Sequence, residues 1–424
     1  MNRVKQSKKK AKDSLFRRVN NWLHLWLGLV SGIIVFIVCI TGCLWVFQEE
    51  ITDLLEPESR VAYEEKPVLS PSELAAIGQA VYPGWLPSYA NYHQGKAVNL
   101  TLRKAGETRR RGGESVLLKV NPYTGTIISE KRSQGRGDAN FFRFVLDGHR
   151  ALWLPYDIGR PIVNYGTLIF VVLLITGLVW WYPKKWNKST RDKSFKIKWG
   201  ASFKRVNLDL HNVLGFYSLL FLLAIALTGM VYGLQWYSKG LYWVTTGGQK
   251  LENGRRMQSD STQRTQAKDP NVAMDLLWNQ VLAENPASQG FYYNYPDRAN
   301  PASTIYVIVY PRAGQFYNSR SYLFDQYTLQ PITRNDPFSV AYEKASFGQK
   351  LRKMNYDIHV GSILGLPGKV LAFLASLIGA SLPITGFLIW WGKRNKKPRK
   401  SPAKAVLPMK RRVPVSMYSK ADTL

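Results

Sequence analysis

Residues 16–28 read Phe16-Arg17-Arg18-Val19-Asn20-Asn21-Trp22-Leu23-His24-Leu25-Trp26-Leu27-Gly28, and the apolar run that follows closes on Thr41-Gly42. Residues 203–215 read Phe203-Lys204-Arg205-Val206-Asn207-Leu208-Asp209-Leu210-His211-Asn212-Val213-Leu214-Gly215, and a second apolar run closes on Thr228-Gly229. Aligned without a gap, Phe16, Arg18, Val19, Asn20, Leu23, His24, Leu27, Gly28, Thr41 and Gly42 recur at the matching positions of the second stretch. Self-similarity of this kind reads as an internal duplication. Each copy presents a histidine near the start of a membrane helix.

Working outward, four apolar runs, 22–47, 161–182, 210–236 and 369–391, meet the roughly 20 residues a bilayer core requires. Trp180, Trp181, Tyr182, Trp236, Tyr237, Trp390 and Trp391 crowd their ends as an interfacial belt would. The segments 1–21, 183–209 and 392–424 hold 8, 9 and 11 of the chain's 58 Lys and Arg, opposed only by Asp13, Asp192, Asp209 and Asp422. By the positive-inside rule these three segments face the cytoplasm, so both termini are expected inside and 48–160 and 237–368 outside. Charge placed this way answers to anionic lipid, not nucleic acid. The first apolar run exceeds the about 7–15 residues of a signal h-region, which makes it an anchor.

The exported stretches read as two small α+β modules. The first opens on Ser70-Pro71-Ser72-Glu73, an N-cap with Pro at N1 and Glu at N3. Strands follow at 97–103 and 115–120, and Asn121-Pro122-Tyr123-Thr124-Gly125 turns into a further strand at 126–130. The second repeats the outline with a helix near 272–284, strands at 290–295 and 304–310, and a hairpin of 321–324 with 329–332 around Asp325-Gln326-Tyr327-Thr328. This second turn lacks the glycine of the first. The polar stretch 250–268 reads as a loop.

Each exported stretch closes on another histidine, Asp147-Gly148-His149-Arg150 in the first and Asp357-Ile358-His359 in the second, ahead of runs ending Thr176-Gly177 and Thr385-Gly386. A two-fold relation between the halves makes His24 face His211 near the inner surface and His149 face His359 near the outer one. Two facing imidazoles fill both axial positions of a haem iron, so the expectation is two b-type haems; no Cys-x-x-Cys-His occurs for covalent attachment. Gly28 and Gly215, one turn after their histidines, leave room for a macrocycle. Gly42 and Gly229, 18 residues and about 27 Å beyond the same histidines, return to the same face to clear a second one. Arg18 and Arg205 suit the inner propionates, with Arg150, Arg160, Arg352 and Lys369 as outer counterparts. A four-histidine zinc site is disfavoured because the pairs lie on opposite sides. His93 reads as a surface-loop histidine, and Cys39 and Cys43 as small apolar residues on a buried helix face.

The opening F-R-R-V-N-N-W-L-H-L-W-L-G, the segment L-D-G-H-R-A-L, the two T-G…W-W endings and the hairpins V-N-P-Y-T-G-T-I and F-D-Q-Y-T-L-Q-P-I together resemble the PepSY-associated transmembrane family, over nearly the whole chain. Within that family the similarity is to iron-regulated inner-membrane ferric-siderophore reductases. The resemblance implies a four-helix core with two PepSY-like periplasmic modules in a bacterial inner membrane, two bis-histidine haems, and one-electron reduction of a ferric siderophore or other iron chelate. No dinucleotide or flavin motif occurs, so the electron donor is another protein, a soluble reduced flavin or quinol. Arg109, Arg110, Arg111, Arg312, Tyr292 and Tyr293 are the candidate substrate contacts. Two other classes fit the same sequence: a haem conduit to a periplasmic partner protein, and a non-redox PepSY-type binding or assembly protein.

Overall fold

The computed structural model describes residues 14–104, 113–133, 141–251, 257–297, 299–333 and 336–395. Four helical segments are long and apolar enough to cross a membrane: Leu15–Val46, Tyr156–Trp181, Phe203–Gly233 and Ser362–Arg394. The first and second are α1 (Leu15–Val46) and α5 (Tyr156–Trp181). The third joins α7 (Phe203–Asp209) through a π turn, Leu210–Leu214, to α8 (Gly215–Gly233). The fourth is mostly α12 (Gly365–Arg394). Small residues fill the helix contacts (Ser31, Gly32, Ala226, Ala375, Gly379 and Ala380 are buried), while Val30, Ile33 and Leu220 point outward. Such a distribution is the one membrane helices use, since lipid tails solvate the large apolar groups and only close backbone approach holds the helices together.

The spans pack in a ring: α1 against α5 and α12, and α8 against α5 and α12. α1 and α8 therefore stand diagonally opposite. Shorter helices complete the set: α2 (Gln48–Leu55), α3 (Pro71–Val81), α4 (Phe141–Ala151), α6 (Lys188–Phe195), α9 (Gln235–Thr245), α10 (Pro270–Glu284) and α11 (Phe347–Val360). α4 lies against α1 and α5, and α11 against α8 and α9.

The two stretches expected outside the membrane do not stand apart but join edge to edge. Their strands β1 (Trp85–His93), β2 (Val98–Lys104), β3 (Ser115–Val120), β4 (Ile127–Ser133), β5 (Gly290–Asn294), β6 (Thr304–Tyr310) and β7 (Arg320–Asp325) make one antiparallel sheet, in the order β4-β3-β2-β1-β5-β6-β7. The join is β1 against β5, with Tyr89 opposite Asn294, Asn91 opposite Tyr292 and His93 opposite Gly290. Left apart, each half would expose an edge of unpaired amides and carbonyls; pairing satisfies both at once. α3 and α10 cover one face, burying Leu74, Leu277, Trp278 and Val281 against Leu100, Leu118 and Val307. His93, expected in a loop, ends β1 with its ring 6.2 Å from Tyr310.

Local signals in the modules behave as their chemistry dictates. The Ser70–Glu73 capping box starts α3. In the first hairpin Asn121 Oδ1 accepts from Tyr123 N at 2.9 Å and Thr124 N at 3.1 Å; in the second Asp325 Oδ1 accepts from Tyr327 N at 2.8 Å and Thr328 N at 3.0 Å. Gly125 closes the first turn at φ +75°, whereas Leu329 holds the same left-handed conformation at φ 61°. The strand expected at 329–332 shrinks to a single bridge, Phe324 to Pro331. At Gly125 an added Cβ meets Ile77 Cδ1 at 2.9 Å, but at Gly84 (φ +82°) it meets nothing within 4 Å. Gly125→Ala is therefore expected to lose more stability than Gly84→Ala, where only the left-handed strain of about 1–2 kcal/mol acts. Thermal unfolding of the two variants checks this ordering.

The sheet is fastened to the helices at one end. Lys96 Nζ bonds Asp53 Oδ1 on α2 at 2.7 Å, Lys119 bonds Glu56 and Ser59 just beyond that helix, and Tyr310, Phe316 and Tyr356 meet edge to face in sequence from β6 to α11, with ring centres 5.8 and 5.0 Å apart. The start of β1 and the end of β5 lie away from the membrane helices.

Candidate functional site

Four histidines meet in two pairs. His24 on α1 and His211 in the π turn have ring centres 6.3 Å apart at the bundle end far from the sheet. His149 on α4 and His359 on α11 have ring centres 6.1 Å apart at the sheet side. π turns insert one residue into the helical ladder and recur at functional sites; here one carries a ligand candidate.

Each imidazole is held by a threonine-glycine pair on another helix. His24 Nδ1 lies 3.0 Å from Thr176 Oγ1, His211 Nδ1 2.9 Å from Thr385 Oγ1, His149 Nδ1 3.3 Å from Thr41 Oγ1, and His359 Nδ1 3.1 Å from Thr228 Oγ1. Every one of these hydroxyls already donates to a carbonyl in its own helix: Thr176 to Val172 O at 2.9 Å, Thr385 to Ser381 O at 3.0 Å, Thr41 to Ile37 O at 2.7 Å and Thr228 to Ala224 O at 2.7 Å. With its proton so engaged, each hydroxyl oxygen accepts, and Nδ1–H donates. At the sheet side Nδ1 also reaches a carbonyl directly, Val38 O for His149 and Ile225 O for His359, both at 2.9 Å. The tautomer is thereby fixed, and Nε2 keeps a free lone pair in all four rings, the state a metal ligand needs. Burial, the larger cause, and the facing ring drive His359 down to about 4, and burial lowers His149 likewise. Both remain neutral donors at physiological pH.

The glycine after each threonine makes space for the ring. A Cβ at Gly177 would stand 3.1 Å from His24 Cε1, at Gly386 3.3 Å from His211 Cε1, at Gly42 3.3 Å from His149 Cε1 and at Gly229 3.2 Å from His359 Cε1. Gly42 and Gly229, expected to clear a macrocycle, thus also seat an imidazole. Sequence reasoning also passed over Asn20, Asn207 and Asn355, each four residues before a histidine. Their Nδ2 atoms donate to Thr176 O, Thr385 O and Thr228 O at 3.0, 3.1 and 3.2 Å, locking ligand helix to clamp helix. The recurring Asn-x-x-x-His spacing was the available signal. In α4 the equivalent residue is Val145, and that lock is absent.

Space surrounds both pairs. A cavity of ≈330 Å³ is lined by His149, His359, Gly42, Gly229, Arg150 and Arg160. Another of ≈290 Å³ is lined by His24, His211, Gly28, Gly386, Trp390 and Lys393, and a smaller one of ≈60 Å³ opens beside the same two histidines at Gly177 and Gly215. Phe170 and Val35 border both larger cavities and form the septum between them. Cys39 lines the sheet-side cavity, and Cys43 is buried with Sγ 3.5 Å from Phe373 O.

The expected cations divide. Arg150 and Arg160 border the sheet-side cavity, steadied by Tyr156 Oη at 3.2 Å and Tyr232 O at 2.6 Å. Lys369 is taken by Glu50 at 2.7 Å, and neither it nor Arg352 borders that cavity. At the far side Arg18 is exposed and Arg205 is bound to the buried Asp209 at 2.7 Å; neither borders a far-side cavity, and Lys393 does instead. Of the substrate candidates, Arg109, Arg110 and Arg111 fall outside the described residues, and Arg312 is exposed on a turn. Tyr292 stacks on Tyr89 at 5.5 Å, on the sheet face away from α3 and α10. Tyr293 is wholly buried in the core with Trp278 and Tyr295, so it cannot touch a substrate.

Two imidazoles trans across one metal, each bonded at about 2 Å, place their ring centres roughly 6 Å apart, as both pairs do. Among the described residues no cluster of three or more His, Cys, Asp or Glu is positioned to hold a metal ion; each pair offers two imidazole nitrogens. Two neutral imidazoles, adjoining apolar space and bordering cations suit a planar metal macrocycle bearing carboxylates. In comparisons with known proteins, a family model described as a PepSY-associated TM region matches residues 21–393. No curated protein matches the chain.

Proposed function

Because the chain belongs to the PepSY-associated transmembrane family, we propose that it is a two-haem membrane reductase that delivers electrons to a ferric chelate, such as a siderophore, on the periplasmic side of a bacterial inner membrane. The observation that carries this reading is the fourfold clamp: four imidazoles, each with Nδ1 donating to a threonine and facing a partner ring at 6.3 or 6.1 Å. The matching halves support descent from a doubled two-span unit.

When bound, b-type haem supplies one-electron transfer, and the protein's part is ligation, dielectric and access. The Nδ1–H bonds orient each ring and raise its basicity toward a metal. Arg150 and Arg160, which border one cavity, and Lys393, which borders the other, would pair with the propionates. The basic segments 1–21, 183–209 and 392–424 support, by the positive-inside rule, a far-side pair that faces the cytoplasm and takes electrons from there. Reduction of the chelated iron to Fe(II) weakens hard-oxygen coordination and frees the metal.

The test is a single-turnover assay. Purified protein is reduced with dithionite, freed of excess reductant, and mixed with a ferric hydroxamate in the presence of ferrozine. Reoxidation of the protein with close to two Fe(II)–ferrozine formed per chain is expected. A reduced protein that stays reduced in the presence of chelate would instead favour a conduit to a partner protein.

A further inference from the structure

Away from the membrane, β1 and β5 separate. Their last bond is Tyr295 N donating to Ser88 O at 3.1 Å. Beyond it a cavity of ≈160 Å³ opens beneath the start of α10, walled by Leu86, Pro87, Met274 and Ile305, with Arg103, Lys104 and Lys268 around it. It is remote from both histidine pairs.

Arg103 is the feature that asks for a ligand. Its Nε is buried and has no hydrogen-bond partner among the described residues. A buried donor on a charged group is costly to leave unmet. The polar neighbours are already committed: Tyr295 Oη donates to Pro71 O at 2.8 Å, Tyr327 Oη to Pro301 O at 2.8 Å and Gln326 Nε2 to Pro301 O at 2.9 Å. Asp297 Oδ1 accepts from Ala299 N at 3.1 Å, and Lys104 pairs with Glu114 at 2.9 Å. The start of α10 contributes nothing further, since Asp269 caps it from within.

A guanidinium fork with a lysine nearby selects a planar carboxylate, and the aliphatic wall selects a short apolar body beside it. A bare inorganic anion would leave that wall without a partner. The geometry points to a binding site for a carboxylate with a short hydrocarbon body, whether a free organic acid or the last residue of a polypeptide. This site does not depend on haem or on reductase activity.

The full chain in detergent is titrated calorimetrically with N-acetyl-valine, butyrate and N-acetyl-valinamide. Both acids are expected to bind, with the amide at least tenfold weaker than N-acetyl-valine. Arg103→Gln should weaken acid binding at least tenfold, Arg103→Lys less, and the exposed Lys268→Gln severalfold without touching the core. Tighter binding of N-acetyl-valine than of butyrate assigns a polypeptide terminus; equal affinities assign a free acid. Failure of both acids to bind, equal binding of acid and amide, or acid binding unchanged in both Arg103→Gln and Lys268→Gln overturns the proposal.

Discussion

His24→Ala is expected to lower the haem content of the purified chain from the proposed two per polypeptide to one, and His149→Ala to do the same by emptying the other site. The two losses are independent because the pairs share no ligand-bearing side chain: His24 and His211 project from the diagonal spans, His149 and His359 from α4 and α11. Removing one imidazole leaves its partner as a single axial donor. The remaining pair keeps its own threonine bonds, His149 to Thr41 and His359 to Thr228 when His24 is changed. The double variant should hold none. A pyridine haemochrome assay normalised to protein checks all three, and an unchanged count in either single variant refutes that ligand assignment.

Gly177→Leu is expected to be nearly as damaging as deleting His24 itself, although it touches no ligand atom. A Cβ there already stands 3.1 Å from His24 Cε1, and a longer side chain must take the ring's place. The ring cannot tilt aside without breaking its bond to Thr176. Gly177→Ala asks for a shift of only a few tenths of an ångström and should retain the haem while broadening its spectrum. Gly42→Leu repeats the effect on His149 at the other end. Haem counts of one, two and one for these three variants are predicted; a count of two in Gly177→Leu would show that the glycine serves helix packing alone.

Much of the bundle could be read from the chain because its signals are local. Twenty-odd apolar residues with aromatic ends declare a span, and the Ser70–Glu73 box declares a helix start, wherever they sit in the fold. The pairing of β1 with β5 left no such mark. It joins residues some two hundred apart, and β1 itself, opening Trp85-Leu86-Pro87-Ser88, lacks clean alternation before Tyr89. The helices α4 and α11 were equally silent, since their polarity suits a juxtamembrane position better than a core. Tyr292 and Tyr293 could have been separated in advance: neighbours in a strand point to opposite faces, so one substrate could not meet both. The clamps were half visible. The Thr-Gly endings and the histidines each stood out, but which ending holds which ring follows only from the helix ring, where span one seats His149 and span two seats His24.

The most direct measurement is the haem stoichiometry and ligation of the unmodified protein, from a pyridine haemochrome assay with low-temperature EPR of the oxidised form. Two b-type haems per chain, both low-spin with two nitrogen axial ligands, is the predicted result. A colourless protein, or one whose iron is high-spin and five-coordinate, contradicts it and leaves a membrane-tethered binding module in place of a reductase.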